Sequence, residues 1–462
     1  MGNAAVARAL ASSRQMIQRF AELEHKAIGD RVKGDVQFRL SPMVSMTYGD
    51  LIAMGDYFSS PDEIVSLAAT PGLRKGTIGE VYYALFVSIR GEDEKRLMGD
   101  WFDESAKEAV NARFYKLAAN NIGHFPNPHS GDTTLDPRTK AGRHDRHQPV
   151  GEQATYRDGH VRAVRRALEL GRARRPIGGA LAIDAFYSHF LTDAFSAGHL
   201  RTPRVTVQRW WHRQVPDFYQ RFMHWLADTM AFWVDHNGPQ YAQAAPRDLQ
   251  RKVALSQVRD ALKALPAMTM GDVVATAVHD YDSDRGVIVE LKGKRMRLVG
   301  DGRLLDREDA DTAELKAAHT TMSLAVEAVQ ASVADIERAY EFGRSGLDLD
   351  AAIARLTKDG KGLFAAERMV PTPVPDDQLT QADRSLRWSF ETVEELFADK
   401  RMRRALTIFA NNKATMFDTI MDNPKFDRVA KEGLQVMVAA RMASSDPNTV
   451  VGLFKEILAH AP

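Results

Sequence analysis

The sequence predicts an all-α protein: a multi-helical body carrying one small β-hairpin, followed by a C-terminal helical extension. Three observations carry that prediction. Apolar residues recur at helical spacing in successive long segments, these segments open and close on helix-terminal residues, and only residues 286–300 alternate with the two-residue period of a strand pair. With 462 residues, 44% hydrophobic and 27% charged, the chain can bury a large core and has the length of two or three domains.

In chain order, residues 4–29 read as one amphipathic helix, with Val6, Leu10, Met16, Ile17, Phe20, Leu23 and Ile28 apolar, a stop at Gly29, and His25 in its last turns. Residues 47–57 form a helix-like run in which Asp56 follows the small-residue step Ala53-Met54-Gly55. A new helix starts at Pro61 with Ser59 or Ser60 as its N-cap. The apolar, aromatic run Glu80 to Ser88 fits a buried helix. Residues 104–123 form the next helix, closed by Gly123 and followed at once by His124.

Residues 126–159 are polar and Pro/Gly-punctuated, and read as a long surface loop holding His129, His144 and His147. His160 opens a helix whose Arg162, Arg165, Arg166, Arg172, Arg174 and Arg175 make a concentrated basic stripe, either a phosphate-attracting patch or a solvated face. Residues 205–268 read as an insertion. Its Trp210, Trp211, Trp225 and Trp233 either pack a core helix pair or present an interfacial surface. The run HDYDSD ends a helix before the hairpin, which turns at Lys292-Gly293-Lys294, and residues 309–343 form a long amphipathic helix. The domains expected are therefore a helical domain over 1–365, a proline-rich linker over 366–380, and a helical region over 381–462 that carries no recognisable chemistry.

Charge and cysteine usage narrow the functional classes. The balance of 62 basic against 61 acidic residues removes global electrostatics as an argument for a polyanionic partner. With no cysteine there are neither disulfides nor thiolate ligands, so a zinc site must be built from His, Asp, Glu and water. No basic start is followed by an apolar run of signal-peptide length, and no 18 apolar residues run together. The expectation is a cytoplasmic protein, or one exported by a signal-less route.

The most informative stretch is Ala180 to Pro203. There His189, Asp193 and His199 form H-x3-D-x5-H, with no helix breaker before Gly198. Positions i and i+4 share one helix face, so His189 and Asp193 converge, and His199 can fold back past a small-residue turn. The neighbours Phe186, Tyr187, Phe190, Leu191 and Phe195 are apolar. Imidazoles and a carboxylate in a dry wall need a partner, and a divalent metal supplies it better than three separate core hydrogen bonds.

Taken together, the ligand-capable residues at helix ends or on helix faces are His25, Asp56, His124, His189, Asp193, His199, His279 and Asp282. In the fragments EHKAIGD, AMGDYF, NNIGHF, SHFLTDAFSAGHL and AVHDYDSDRG, this order resembles the zinc-dependent phospholipase C and single-strand-specific zinc nuclease superfamily, in particular a bacterial phospholipase C-like branch. The resemblance spans about residues 20–345. It implies an all-helical phospholipase C/nuclease-like core binding two or three zinc ions. Asp56, His124, His189 and Asp193 would hold one ion, Asp193 would bridge to a second that also takes His25, and His199 would hold the remaining ion with His279 and Asp282. His224 and Asp228 match the expected pair spacing and are the alternative. Asp56 would also accept a proton from the attacking water.

Two departures stand out. The superfamily completes its His25-type site with an N-terminal Trp, whereas the first Trp here is Trp101; Glu22, Glu24 or water would have to substitute. The intervals 56–124 and 199–279 are longer than in compact members.

The implied function is zinc-dependent phosphodiester hydrolysis, with phospholipid at a membrane surface as substrate. The alternatives are a single-strand nuclease or nucleotidase acting on nucleic acid, and a non-catalytic helical zinc protein that binds a partner through its C-terminal helices.

Overall fold

A computed structural model describes residues 22–41, 44–91, 103–119, 152–200, 279, 282–283, 285–300, 302–305, 313–357 and 362–381. In order these form α1 (Glu22–Lys33), β1 (Gln37–Arg39), β2 (Ser45–Thr47), α2 (Tyr48–Ala53) with a 3-10 turn at Met54–Asp56, α3 (Pro61–Ala68), α4 (Ile78–Tyr82) continued by a π-helical stretch over Tyr83–Ile89, and α5 (Glu104–Ala119). Then follow α6 (Glu152–Arg172), α7 (Gly178–Asp193), α8 (Ala197–Leu200), β3 (Val287–Leu291), β4 (Lys294–Leu298), α9 (Ala313–Arg344), α10 (Leu349–Leu356) and β5 (Thr372–Pro373). The described residues are mostly helical, as the sequence predicts. The insertion 205–268 and the region from 382 onward, with their expected helices, lie outside them.

Long apolar faces set the architecture. Helix α6 packs on both α7 and α9, α7 also meets α9, and the α1–α2 pair closes over α7 and α9. Ile28, Met46, Tyr48, Ile52, Tyr156, Phe186, Phe195 and Val329 are buried in one continuous core. At about 25 cal/mol per Å² of apolar area, this burial is the main favourable term holding the helices together.

Local signals explain most element starts. Thr47 and Asp50 form a capping box, with the Asp50 amide donating to Thr47 Oγ1 (3.0 Å) and the Thr47 amide to Asp50 Oδ2 (2.8 Å). Ser60 caps α3 by accepting from the Glu63 amide (3.2 Å), with Pro61 in the first turn as expected. The hairpin pairs Val287 with Leu298 and Leu291 with Lys294 around a two-residue turn, Lys292-Gly293, whose φ angles are both positive.

Four expectations are corrected. Helix α1 does not stop at Gly29 but runs to Lys33. Gly29 serves a close crossing instead, because a Cβ there would lie 2.5 Å from the Gly49 Cα of α2. Helix α6 starts at Glu152, inside the segment expected as loop, because Glu152 and Tyr156 are buried against its neighbours.

The other two corrections concern the ends of the central helix and of the domain. Helix α7 ends at Asp193, before Gly198, and a turn over residues 194–196 separates it from α8. Residues 366–380, expected as a linker, are anchored: Thr372 and Pro373 pair with β3, Val374 is buried, and Arg157 of α6 holds Glu367 at 2.6 Å. Proline is tolerated there because β5 is an edge strand. The short β1–β2 pair and helix α10 are additional elements.

Candidate metal centre

Three elements deliver one cluster. Helix α7 places His189 and Asp193 one turn apart on a buried face, with His189 Nε2 3.5 Å from Asp193 Oδ2. Helix α1 crosses this face and brings His25 Nε2 to 3.5 Å from Asp193 Oδ1, with the two imidazole rings 4.2 Å apart. The 3-10 turn after α2 brings Asp56 Oδ1 to 3.7 Å from His189 Nε2. Gly55 permits that approach, since a Cβ on it would lie 2.3 Å from His189 Cγ.

Hydrogen bonding at Thr192 favours one tautomer of His25. The Thr192 hydroxyl donates to the carbonyl oxygens of His189 (2.7 Å) and Ser188 (3.1 Å). Thr192 Oγ1 also lies 2.8 Å from His25 Nδ1, so a hydroxyl whose proton goes to a carbonyl accepts from Nδ1–H. In the neutral ring Nε2 then carries the lone pair, and it faces Asp193. This is the orientation that a hydrogen-bonded hydroxyl or carboxylate gives a metal-ligating imidazole.

One donor atom from each of His25, His189 and Asp193 lies within 4.8 Å of the others, and all three residues are buried. A dry set of two imidazoles and a carboxylate suits a divalent cation. The group can hold a metal ion. Asp56 is the more accessible member, 12% exposed against 0–1% for the other three.

Beyond α7 a second group forms. The rings of His199 and His279 meet edge to face at 4.7 Å, and Asp282 is buried. Gly198 lies against His279 and Ser283. Thus His25, Asp56, His189 and Asp193 come together, and His199 meets His279. His124, His224 and Asp228 lie outside the described residues. Of the proposed substitutes for a terminal amine, Glu24 accepts from the Leu304 amide (2.7 Å) and the Gly302 amide (3.1 Å), and Glu22 accepts from the Tyr57 hydroxyl. Neither belongs to the converging group.

Some contributing residues are not evident in the motif. Asp184, one turn before Ser188, anchors a fully buried network. It accepts from the Tyr48 hydroxyl (2.7 Å) and the Ser332 hydroxyl (2.8 Å), and lies 2.8 Å from His160 Nδ1. Burial and the Asp184 charge hold the Tyr48 and Tyr156 phenols well above their usual range, so both remain protonated donors. Asp335 faces His160 from α9 and bonds Arg338; burial pushes its carboxyl up. The network ties α2, α6, α7 and α9 together behind His189. Its sequence signal is a polar position, Asp184, inside an apolar helical run.

Glu152, from the expected loop, is buried as well, and desolvation together with the charge of Asp193 pushes its carboxyl well up. On the basic stripe, Arg162 pairs with Asp62 at 2.5 Å, Arg166 with Glu169 at 2.9 Å, and Arg172 with the Leu347 carbonyl.

Fold and site together define a mostly helical protein with a buried two-histidine, one-aspartate group able to hold a metal ion. No protein-family model matches the chain, and no curated protein or solved structure matches it either. Among the described residues no helix is long and apolar enough to cross a membrane.

Proposed function

We propose that this chain is a zinc-dependent phosphodiester hydrolase of the phospholipase C and single-strand nuclease superfamily, acting on glycerophospholipids. The observation that carries the proposal is the sharing of Asp193 between His25 and His189, each 3.5 Å from a different carboxylate oxygen. Those residues come from separate segments, EHKAIGD and SHFLTDAFSAGHL, and both segments belong to the resemblance. The pairing of His199 with His279 also agrees with a multi-ion centre.

Bound zinc supplies Lewis-acid polarisation of a phosphodiester and a water acidic enough, with a pKa of about 7, to attack at neutral pH. The chain's own residues do the rest. Asp193 presents one oxygen to each imidazole and would bridge two ions. Thr192 keeps His25 in the tautomer that offers Nε2. Asp56, the most accessible carboxylate of the cluster, would accept a proton from water.

Lipid is favoured over nucleic acid because Arg162 and Arg166 are already compensated by Asp62 and Glu169, which weakens the basic groove a polynucleotide would need. The test is metal content and hydrolysis on one sample, wild type beside Asp193→Asn, with a choline phospholipid and single-stranded DNA in parallel. Bound zinc with lipid turnover abolished in the variant supports the proposal. DNA cleavage alone moves the assignment to the nuclease branch, and bound zinc with neither activity moves it to a structural zinc protein.

A further inference from the structure

Glu152 has no place in the sequence motif, yet its surroundings are those of a site residue. It is 2% exposed, and among the described residues its Oε2 has no hydrogen-bond partner. A buried carboxylate left in that condition is costly whether or not it carries a proton, because one oxygen has exchanged water for nothing.

The helix register shows what it faces. Helices α6 and α7 run antiparallel: His160 Nδ1 meets Asp184 Oδ1 at 2.8 Å, and the Tyr187 ring fills the space a side chain on Gly159 would take. Glu152 precedes His160 by eight residues and Asp193 follows Asp184 by nine, displacements of about 12 and 13.5 Å along the two axes. Residues 152, 156 and 160 share one face of α6, and Tyr156 and His160 on that face are buried against α7 and α9. Continuing this face brings Glu152 to the end of α7 that carries His189 and Asp193.

Two buried carboxylates brought to one end of a helix pair require positive charge nearby. We propose that Glu152 is a further carboxylate ligand at the divalent-cation centre formed by His25, His189 and Asp193. This rests on the metal-centre reading and deepens it. With Glu152 included, the donor set becomes two imidazole nitrogens and two carboxylates before Asp56 is counted. That set would compensate the charge of the bound cations, and it leaves the accessible Asp56 side for water and substrate.

The experiment uses the full chain and zinc alone. Zinc affinity is measured by chelator competition for wild type, Glu152→Gln and Asp193→Asn, beside thermal unfolding of each apo-protein. Gln matches the size of a protonated Glu, so a purely structural, neutral Glu152 predicts unchanged affinity. The proposal predicts at least a tenfold loss of zinc affinity in Glu152→Gln, with the apo unfolding midpoint unchanged or raised. Equal affinity overturns it.

A crystal structure of the zinc-loaded wild type gives a second reading that does not depend on a variant folding. A Glu152 oxygen within about 2.0–2.2 Å of the ion supports the proposal. An ion on His25, His189 and Asp193 with Glu152 turned away overturns the proposal alone. The lack of any ion on those three residues in folded, zinc-loaded protein overturns both it and the metal centre.

Discussion

Nδ1 of His25 is hydrogen-bonded to the hydroxyl of Thr192, 2.8 Å away and 167 residues further along the chain. One side chain on α7 thus sets the ring orientation of a candidate ligand on α1, and α7 itself supplies the other two members of the group. The centre is assembled by a single helix crossing.

Thr192→Val keeps the shape of the side chain and removes that acceptor. Zinc affinity should fall ten- to a hundredfold by chelator competition, the range typical of lost outer partners. Stability of the apo-protein should change by only about 1 kcal/mol, because one ordinary hydrogen bond is lost.

Gly55→Ala tests the approach of the Asp56 turn to His189. A Cβ 2.3 Å from His189 Cγ forces the ring or the turn to move. Denaturant unfolding should show a loss of about 1–3 kcal/mol, typical of overpacking. Zinc affinity should fall with it, since ligand geometry moves by a comparable displacement.

Asp184→Asn probes the buried network behind the site. The substitution turns an amide N–H₂ toward hydroxyls and an imidazole that Asp184 accepts from or pairs with. Breaking a buried charged network by changing one partner costs about 3–5 kcal/mol, measurable by urea unfolding.

Asp50 gives a pH dependence with a definite sign. Burial alone would raise its carboxyl, but Arg90, the Thr47 amide and Lys26 outweigh burial and lower it below its ordinary 3.8. A carboxyl lowered in the folded state stabilises the protein above its unfolded value, and that contribution is lost as pH falls through the folded value. Acid unfolding of the wild type should therefore include a component below about pH 4 that is missing in Asp50→Asn. At neutral pH the variant should lose about 2–3 kcal/mol, less than a fully buried pair because Arg90 and Lys26 are partly solvated.

What was legible in the sequence was local. The i,i+4 spacing of His189 and Asp193, the Ser60-Pro61 helix start and the Lys292-Gly293 hairpin turn all act through nearest neighbours along the chain, and the structure has each of them. What was not legible depends on partners distant in sequence. Gly29 has the composition of a helix stop, but its role is set by Gly49 across a helix crossing. Glu152 sits in a polar, loop-like stretch, and only the packing of α6 on α7 buries it. The prolines of 366–380 suggest a linker until β3 offers them an edge. Strands β1 and β2, three residues each, are too short for any period to register.

His25, His189 and Asp193 can hold a metal ion. The most direct measurement is elemental analysis of zinc in purified, zinc-dialysed wild type and Asp193→Asn, with folding of both verified by circular dichroism. At least one tightly held zinc per wild-type chain is expected, lost in the variant. A folded wild-type protein that emerges from dialysis without zinc, or a variant that retains the full wild-type content, would contradict it.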